Sequence, residues 1–483
     1  MKETKYITKQ ELNKTLKPHQ LKAKEFVVKN KRCGLYLDMG VGKTLSTLAS
    51  LYDIQPKYHI LVIAPINIAR YVWIDEIKKW KMNIRYKSLI LNENNKKLSK
   101  KQRYELYDEV KNMKPTMFFI NLELVCDLVD YFKGSFPFKF LIIDESQSFK
   151  NPRAKRFKAL KKIVNEVDRV VELSGTPTPR SIEDLWSQIF LLDKGQRLGK
   201  TLTSFRIKYL RPTNVINGIP INYVPLPHAE KEIYDKISDI AISLKNVNLS
   251  LPPLIINDIH LSLSDKEKKL YKTLAKTEVL KIVDEPIFEG VKKDEQDITV
   301  IARSAGALHA KLCQMASGAL YINENKDYIK IHEQKLAMCK DIINRTGSNV
   351  MIAYFFKTDR YMLEEYFKKH KIAYKVFDGS AEIKDDWNNG KIPVMLVQPK
   401  SMGHGMNLQT GGNVLIWYSM IFDLELYLQT NKRLHRPGQT KSVIIHRLIV
   451  DDTIDTKASK ALEKKKMTQD DLLDALDATL KSL

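Results

Sequence analysis

Short apolar runs alternate with amphipathic stretches along two parts of the chain. All but one of the runs are followed by proline or a polar residue, and the next stretch repeats its apolar positions with helical spacing. Such runs predict buried parallel strands with helices between them. The runs are LYL (35–37), HILVIA (59–64), MFFI (117–120), FKFLII (138–143), VDRVVEL (167–173), NVMIAYF (349–355), VMLVQ (394–398) and NVLIWY (413–418). The order predicts an α/β fold with two doubly wound parallel-sheet domains.

Between these parts the pattern loosens, from about Asp193 to Asp327, and a strand at 255–263 precedes a charged helix there. A chain of 483 residues is too long for one ordinary core. We therefore predict three segments. They are an N-terminal α/β domain at 1–225, a linker with a helical insertion at 226–330, and a C-terminal α/β domain with a helical tail at 331–483.

The first glycine-rich turn, GLYLDMGVGKT at 34–44, joins a predicted strand to a predicted helix. A triphosphate such as that of ATP is favoured at the helix N-terminus, where the backbone N–H groups of residues 39–42 (Met39, Gly40, Val41, Gly42) can contact it. Lys43 adds a positive charge, and the Thr44 hydroxyl can ligate Mg²⁺. The usual phosphate-loop spacing has glycine where this chain has Leu37. The alternative is a surface turn before an ordinary helix.

Two adjacent carboxylates, Asp144 and Glu145, follow the apolar run FKFLII. Parallel strands end at the sheet edge where α/β folds place their ligands. Asp144 can hold Mg²⁺, directly or through water, and Glu145 can orient and deprotonate an attacking water. The alternative is a pair of solvated acids at a strand end.

Two further segments of the first α/β part contain candidate residues. Ser174, Gly175 and Thr176 form a turn that could couple the nucleotide site to another site, although a plain turn also explains them. Gln20 lies in an amphipathic helix, and its amide could match the adenine edge, although simple helix packing is the alternative.

In the second α/β part, PKSMGHGMNLQTGG follows a strand and contains Lys400, Gly403 and Asn407. Such a loop could bind backbone phosphates, or it could belong to a domain interface. Further on, QTNKRLHRPGQ predicts a helix on which Gln429, Arg433 and Arg436 share a face. Arginines there can stabilise a transferring phosphoryl group, whereas a solvated basic helix is the alternative.

The composition of the chain indicates which class of binding partner is favoured. Eighty Lys and Arg residues against 57 Asp and Glu give a formal net charge of +23, which favours a polyanion such as nucleic acid. The sequence has no apolar stretch of spanning length and no N-terminal signal pattern, so we expect no membrane association and a cytoplasmic location. The four cysteines are too scattered for a zinc site.

Taken in order, these motifs resemble the Swi/Snf-type branch of helicase superfamily two, and most closely its compact phage and prophage members. The segments that carry the resemblance are LKPHQ, LDMGVGKT, APINIARYVWIDEIKKW, DESQSFKNPRAKRFKAL, LSGTPTPR, DGS, PKSMGHGMNLQ and QTNKRLHRPGQ. They extend over about residues 16–470. The chain has Asp38, Pro399 and Met402 where the family usually has glutamate, threonine and glycine.

The resemblance implies two RecA-like domains with helical insertions between them and ATP·Mg²⁺ in the cleft between the domains. It makes Lys43, Asp144, Glu145, Gln429, Arg433 and Arg436 the catalytic set. It implies adenine contact at Gln20, metal contact at Thr44 and Asp144, and coupling through Ser174, Gly175 and Thr176. The nucleic-acid contacts that it implies are Pro65, Lys400, Ser401, Gly403 and Asn407.

The function implied is a DNA-dependent ATPase that moves on DNA, duplex DNA being favoured, in phage-type replication or recombination. The basic unit is expected to be a monomer in the cytoplasm of a bacterial host. Two alternatives stay open. One is a strand-separating DNA or RNA helicase, and the other is an ATP-gated scaffold that recruits a nuclease or a replication protein.

Overall fold

The computed structural model describes residues 6–92, 96–216, 219–244, 251–277, 279–282, 298–302, 304–322, 327–402 and 406–482. The chain divides into two compact units. The first unit comprises Met1–Leu249 and Lys465–Leu483, and the second unit comprises Ser250–Lys464. The three-segment division at residues 226 and 331 stays a prediction.

The first unit contains the following elements. Its strands are β1 (Arg32–Tyr36), β2 (His59–Ala64), β3 (Tyr86–Ser88), β4 (Met117–Asn121), β5 (Phe138–Asp144), β6 (Arg169–Ser174), β7 (Leu210–Ile216), β8 (Ile219–Pro225) and β9 (Ala241–Ile242). Its α-helices are α1 (Lys9–Thr15), α2 (Pro18–Lys29), α3 (Lys43–Ile54), α4 (Trp73–Lys79), α5 (Lys100–Val110), α6 (Val125–Tyr131), α7 (Lys155–Ile163), α8 (Asp184–Asp193), α9 (Leu202–Tyr209) and α10 (Ala229–Ile237). Shorter helical turns are Ile68–Val72, Leu122–Leu124 and Ser146–Phe149.

Seven strands of the first unit form a parallel sheet in the order β3-β4-β2-β5-β6-β1-β9. Successive residues of β2 enter opposite cores, because Leu61 and Ile63 belong to one hydrophobic cluster and Ile60 and Val62 to another. A strand that is buried on both faces reads as an unbroken apolar run. Strands β7 and β8 form a separate antiparallel hairpin.

The second unit contains a further set of elements. Its strands are β10 (Leu254–Leu261), β11 (Val279–Ile282), β12 (Ile298–Ile301), β13 (Ala319–Tyr321), β14 (Tyr328–Lys330), β15 (Val350–Ala353), β16 (Lys375–Val376), β17 (Val394–Val397), β18 (Val414–Trp417) and β19 (Val443–Val450). Its helices are α11 (Asp265–Thr277), α12 (Ala305–Ser317), α13 (Gln334–Arg345), α14 (Lys357–Lys369), α15 (Ala381–Asn388), α16 (Leu424–Asn431) and the start of α17 (Ile454–Ser482). From Lys465 onward α17 belongs to the first unit.

Six strands of the second unit form another parallel sheet, in the order β10-β19-β18-β15-β17-β16. Here too alternate residues enter two cores, with Val350 and Ile352 in one and Met351 and Ala353 in the other. The prediction of two parallel-sheet α/β domains is therefore confirmed.

Two strands of this sheet differ from the sequence pattern. Strand β10, which the pattern places in the linker, is the edge strand of the second sheet and pairs with β19. Strand β19 itself was missed, since its apolar residues are interrupted by His446 and Arg447.

Within the described part of the chain, no helix combines the length and the apolar composition needed to cross a bilayer.

Candidate active site

Four candidate segments follow four neighbouring strands of the first sheet. Strand β2 leads into the buried Pro65, and β5 ends at the carboxylate Asp144. Its neighbour β6 ends at the hydroxyl Ser174, and β1 leads into the phosphate loop. In the β1–β6 register Tyr36 pairs with Ser174, and in the β5–β6 register Asp144 pairs with Leu173. Because the strands are parallel, the four segments share the carboxyl edge of the sheet, where α/β folds place their ligands.

The phosphate loop leads from β1 directly into α3. Gly40 and Gly42 have positive φ angles of 82° and 90°, and Gly42 is the N-cap of α3. A Cβ atom on Gly42 would lie 2.1 Å from Nε2 of Gln20, so both its backbone angle and its surroundings require glycine. The first N–H groups of α3 lack partners within the helix, which makes this end of α3 suitable for an anion.

Two side chains of α2 hold the loop from outside. Gln20 donates from Nε2 to the Val41 carbonyl over 3.2 Å, and its Oε1 accepts from the Lys17 backbone N–H over 2.9 Å. His19 Nε2 lies 3.0 Å from the same Val41 oxygen. Gln20 is thus a support of the phosphate loop in this structure, and adenine recognition by its amide stays a prediction.

Lys43 lies at the first position of α3. Its ammonium group donates to the carbonyl of Leu37 over 2.9 Å and to that of Asp38 over 3.1 Å. Burial lowers the pKa of Lys43, while Glu145 and Asp144 act in the opposite direction. The ammonium group therefore lies within the loop and within the electrostatic reach of both acids.

Asp144 ends β5 and is buried. Its Oδ2 accepts from the indole Nε1 of Trp73 over 2.9 Å, and its Oδ1 accepts from the Glu145 backbone N–H over 3.0 Å. Burial, with Glu145 next, raises the pKa of Asp144, and Lys43 partly opposes the shift. Sequence reasoning missed Trp73, whose only signal was its position on the apolar side of a helical pattern.

Glu145 connects the acid pair to the next strand. It has a left-handed backbone, with φ of 55° and ψ of 55°, which is a strained conformation for glutamate. Its Oε2 accepts from Gln147 Nε2 over 2.7 Å, and Gln147 Oε1 accepts from the Ser174 hydroxyl over 2.7 Å. The Ser174 oxygen in turn accepts from the Thr176 N–H over 3.1 Å. Gln147, which sequence reasoning did not assign, thus joins the acids to the predicted coupling turn.

Gly175, the middle residue of this turn, lies against the phosphate loop. A Cβ atom placed on it would lie 3.0 Å from Met39 Cγ and 3.6 Å from Lys43 Nζ. Its carbonyl accepts from the Nε2 of the buried Gln469 in α17, over 3.4 Å. No local sequence signal identifies Gln469, because the contact depends on where the helix packs.

Thr44 and Asp144 are the residues of this edge that could hold Mg²⁺. A hydroxyl and a carboxylate suit Mg²⁺, which binds oxygen ligands and usually keeps several waters. The raised pKa of Asp144 is also consistent with a metal site, since a cation beside this buried carboxyl group would favour its charged form. Among the described residues no group of three or more His, Cys, Asp or Glu side chains offers an all-protein metal site.

In the second unit, the prediction that Gln429, Arg433 and Arg436 share one face of a helix was wrong. Helix α16 ends at Asn431, so Gln429 lies on the helix whereas Arg433 and Arg436 lie in the turns that follow. Pro437 disfavours helical backbone angles at Arg436, the residue before it, whereas α16 already ends five residues earlier, at Asn431.

The two arginines nevertheless converge. Arg433 and Arg436 both donate from Nη1 to the Met406 carbonyl, over 3.4 Å and 3.0 Å. Arg433 is 7% exposed, and burial lowers the pKa of Arg436. Gln429 donates instead to Glu425 over 3.3 Å.

The predicted nucleic-acid loop follows β17. Lys400 is exposed, with its ammonium group 4.7 Å from the centre of the Phe355 ring. Ser401 and Asn407 are exposed as well, and the Ser401 hydroxyl donates to a carbonyl of its own turn over 2.9 Å. Gly403 lies outside the described residues.

Two family models match the chain and together contain every candidate residue. The SNF2-related domain matches residues 19–314, and the Helicase conserved C-terminal domain matches residues 334–438. The chain belongs to the SNF2-related family. The resemblance drawn from the motifs is thereby confirmed, and this SNF2-related protein is a helicase-like ATPase that uses ATP.

Three relatives illustrate the breadth of the family. The chain is 32% identical to "Putative protein p41" of Acyrthosiphon pisum secondary endosymbiont phage 1, over 96% of this chain and 98% of p41. It is 26% identical to an "Uncharacterized ATP-dependent helicase" of Mycoplasma pneumoniae, over 90% of this chain and 40% of that protein. It is 23% identical to human "DNA repair and recombination protein RAD54B", over 92% of this chain and 53% of that protein. The SNF2-related chain thus spans about half or less of the latter two.

Proposed function

We propose that the protein is a motor that couples ATP hydrolysis to movement on DNA. The observation that carries the proposal is the grouping of Lys43, Asp144 and Glu145 at the carboxyl edge of the first sheet, beside a glycine-capped helix N-terminus. An ammonium group, a metal-suited carboxylate and a second carboxylate at one helix end make up the machinery of phosphoryl transfer.

The first unit would bind and activate the reactants. Backbone N–H groups of residues 39–42 and the Lys43 ammonium group bind the phosphates, while Gln20 is the candidate for adenine contact. Glu145 orients a water molecule and takes its proton as the water oxygen bonds to the γ phosphorus and the bond to ADP breaks. Thr44 and Asp144 would hold Mg²⁺, which supplies positive charge beside the β and γ phosphates when bound.

The second unit would contribute Gln429, Arg433 and Arg436. A guanidinium group keeps its charge and presents its donors in a fixed plane, which suits the charge that develops on a transferring phosphoryl group. Convergence of Arg433 and Arg436 on the Met406 carbonyl supports a joint role. Ser174, Gly175 and Thr176 would couple nucleotide state to the nucleic-acid contacts.

DNA is the proposed track, and duplex DNA is favoured. A net charge of +23 suits a phosphate backbone, and a relative is named as a DNA repair and recombination protein. Pro65, Lys400, Ser401, Gly403 and Asn407 are the candidate contacts. A relative of the chain belongs to a phage, and the role that we propose is in phage-type replication or recombination, with a monomer in the bacterial cytoplasm as the basic unit.

The test is a comparison of activators. ATPase rates are measured with duplex DNA, single-stranded DNA and RNA at several salt concentrations. Duplex DNA is expected to stimulate the rate most, and stimulation should fall as salt rises. An ATPase that is indifferent to all three polymers would rule out the motor.

Strand separation is a second candidate, because a relative that spans the chain is named as an ATP-dependent helicase. Displacement of a third strand from a triplex, without unwinding of a forked duplex, indicates duplex translocation. Unwinding of the fork indicates a helicase. If ATP binding without hydrolysis suffices to recruit a nuclease or a replication protein, the ATP-gated scaffold is favoured instead.

A further inference from the structure

Trp73 connects the exposed surface after β2 to the carboxylate of Asp144. Its indole is fully buried, and its N–H donates to Asp144 Oδ2 over 2.9 Å. The other carboxylate oxygen, Oδ1, accepts from the Glu145 backbone N–H over 3.0 Å. Both oxygens of Asp144 are therefore oriented by fixed donors, and each keeps a lone pair for a further ligand.

Only one of these two donors is a side chain. The Glu145 N–H is a neighbouring backbone group, which any residue except proline would supply at position 145. The Trp73 indole comes from another part of the chain, 71 residues away, so replacing this one side chain removes the donor. A buried donor beside a metal-binding carboxylate fixes the direction in which that carboxylate faces the metal.

The residues just before Trp73 form an unusual segment. Ile68–Val72 is a π-helical turn, and α4 begins at Trp73. π-helical turns are rare in proteins, and those that do occur are often found at functional sites. On the outside of this segment, Ile66 is 37% exposed and Tyr71 is 47% exposed. This short segment thus has two exposed apolar side chains, and the residue that directly follows it makes the Asp144 contact.

We infer that Trp73 is a positioning residue that orients Asp144 for Mg²⁺ and connects it to the exposed segment 66–72. The inference rests on the proposed function, because segment 66–72 begins beside the candidate nucleic-acid contact Pro65. Contact of a DNA backbone with this segment would move the start of α4, and with it the indole that holds the carboxylate.

The test uses the full chain with Trp73→Phe, which keeps a large aromatic ring and removes the N–H. Binding of a fluorescent ATP analogue is measured as MgCl₂ is raised, so the readout does not depend on hydrolysis. The concentration of MgCl₂ that gives half-maximal binding should rise roughly tenfold or more, as is typical when the partner of a metal ligand is removed. An unchanged midpoint overturns the inference.

Trp80→Phe is the matched control. The Trp80 indole N–H also donates to a carboxylate, Glu76 Oε2, over 2.9 Å, and Trp80 caps the same helix α4. This variant loses an equivalent hydrogen bond away from Asp144, so its midpoint should stay at the parental value. Equal shifts in the two variants would contradict a specific role for Trp73.

Two further measurements separate positioning from simple stability. If Trp73 acts through Asp144, Asp144→Asn combined with Trp73→Phe should raise the MgCl₂ midpoint no further than Asp144→Asn alone. Stimulation of the ATPase by duplex DNA should also fall in Trp73→Phe, relative to Trp80→Phe. Parental stimulation in Trp73→Phe would overturn the connection to segment 66–72.

If Trp73→Phe does not fold, the inference can still be tested on the parental chain. It has five tryptophans, so its ¹⁵N-indole signals can be assigned by replacing the other four, Trp80, Trp186, Trp387 and Trp417, one at a time. The Trp73 signal should shift on addition of MgCl₂ with the ATP analogue, and an unmoved signal overturns the inference. A parental chain that binds no ATP analogue would instead contradict the proposed function.

Discussion

At the scale of single residues, the candidate site contains buried side chains of opposite charge. Burial lowers the pKa of Lys43 and raises that of Asp144, while each group reduces the shift of the other. Both shifts express the cost of desolvating a charge. Bound triphosphate and a divalent cation would each offset one of these costs, so the site is suited to receive both together.

Lys43→Ala should abolish ATP turnover. The variant removes the ammonium group at the start of α3 and leaves the helix N-terminus intact, so phosphate binding loses the positive charge of Lys43. We expect the steady-state ATPase rate to fall at least about 100-fold, as for removal of a main electrostatic stabiliser. Lys101→Ala, on the exposed start of α5, is the control and should keep the parental rate.

His332 should make the second unit sensitive to acid. Burial lowers the pKa of His332 to about 4, and its Nε2 lies 2.9 Å from the Met315 carbonyl, which accepts a hydrogen bond from the ring N–H. Between the ordinary histidine pKa of about 6.5 and the lowered value, the unfolded chain binds a proton that the folded protein does not. The free energy of unfolding should therefore fall as the pH drops through this range.

Urea denaturation at pH values of about 7 and 5 measures this effect, and the contribution of His332 is on the order of 2 kcal/mol. His332→Gln can keep a donor to Met315 and cannot titrate, so its stability should change less between the two pH values. The exposed His228, replaced by Gln, is the control. An identical pH dependence in parent and His332→Gln would contradict the expectation.

At the scale of elements, the hydrogen bonds among Glu145, Gln147 and Ser174 couple the ends of β5 and β6. Gln147 is the central member, since its amide donates to one side chain and accepts from the other. A glutamate with left-handed backbone angles needs such support to keep its direction.

Gln147→Ala should lower the maximal ATPase rate about tenfold, less than the roughly 100-fold or more that loss of a general base costs, with little change in ATP binding. Ser174→Ala should act through the same contact, so the double variant should be no slower than the worse single variant. Gln102→Ala, which removes a surface cap of α5, is the control. Additive losses in the double variant would show that the two residues act separately.

Arg436→Ala should leave ATP binding largely intact and slow hydrolysis by roughly 1,000-fold, the lower range for an arginine that stabilises transferred charge. Binding of an ATP analogue and single-turnover hydrolysis separate the two effects. Arg345→Ala is the control, because Arg345 is exposed and pairs with Asp341 at the end of α13. Parental hydrolysis in Arg436→Ala would remove the arginine from the catalytic set.

The sequence predicts elements best where burial dictates a continuous pattern. Strands β2, β4 and β5 follow from apolar runs because both faces of their sheet are covered. The turn that ends α16 was not predicted, since local spacing at Arg433 and Arg436 also fits a helix. Trp73 and Gln469 were not predicted because their partners lie 71 and 294 residues away. Gln147 was not predicted because Ser174, the partner that links it to the next strand, lies 27 residues away.

At the scale of the whole molecule, the basic charge decides which partners are attracted and how strongly salt acts. A net charge of +23 adds a long-range attraction to any polyanion, beyond the few residues that contact it. The sequence predicts this property directly, because net charge is a sum that needs no fold. It cannot show which surface receives the polymer.

Affinity for duplex DNA should therefore depend steeply on salt. If roughly four phosphates are contacted, affinity falls on the order of 100-fold between about 50 and 200 mM salt. Fluorescence anisotropy of a labelled duplex gives the slope. Binding of the ATP analogue without DNA is the control and should vary much less. A flat dependence on salt would contradict recognition through the phosphate backbone.

The contact between Gln469 and Gly175 has a consequence for biosynthesis. The two residues are 294 positions apart, and both belong to the first unit. At about 5–20 residues per second, a ribosome reaches Gln469 about 15–60 s after Gly175. During that interval the second unit emerges, while the Gly175 carbonyl has yet to receive its donor. The turn beside the phosphate loop is thus completed late, and a nascent chain halted within the second unit would have the phosphate loop without this contact.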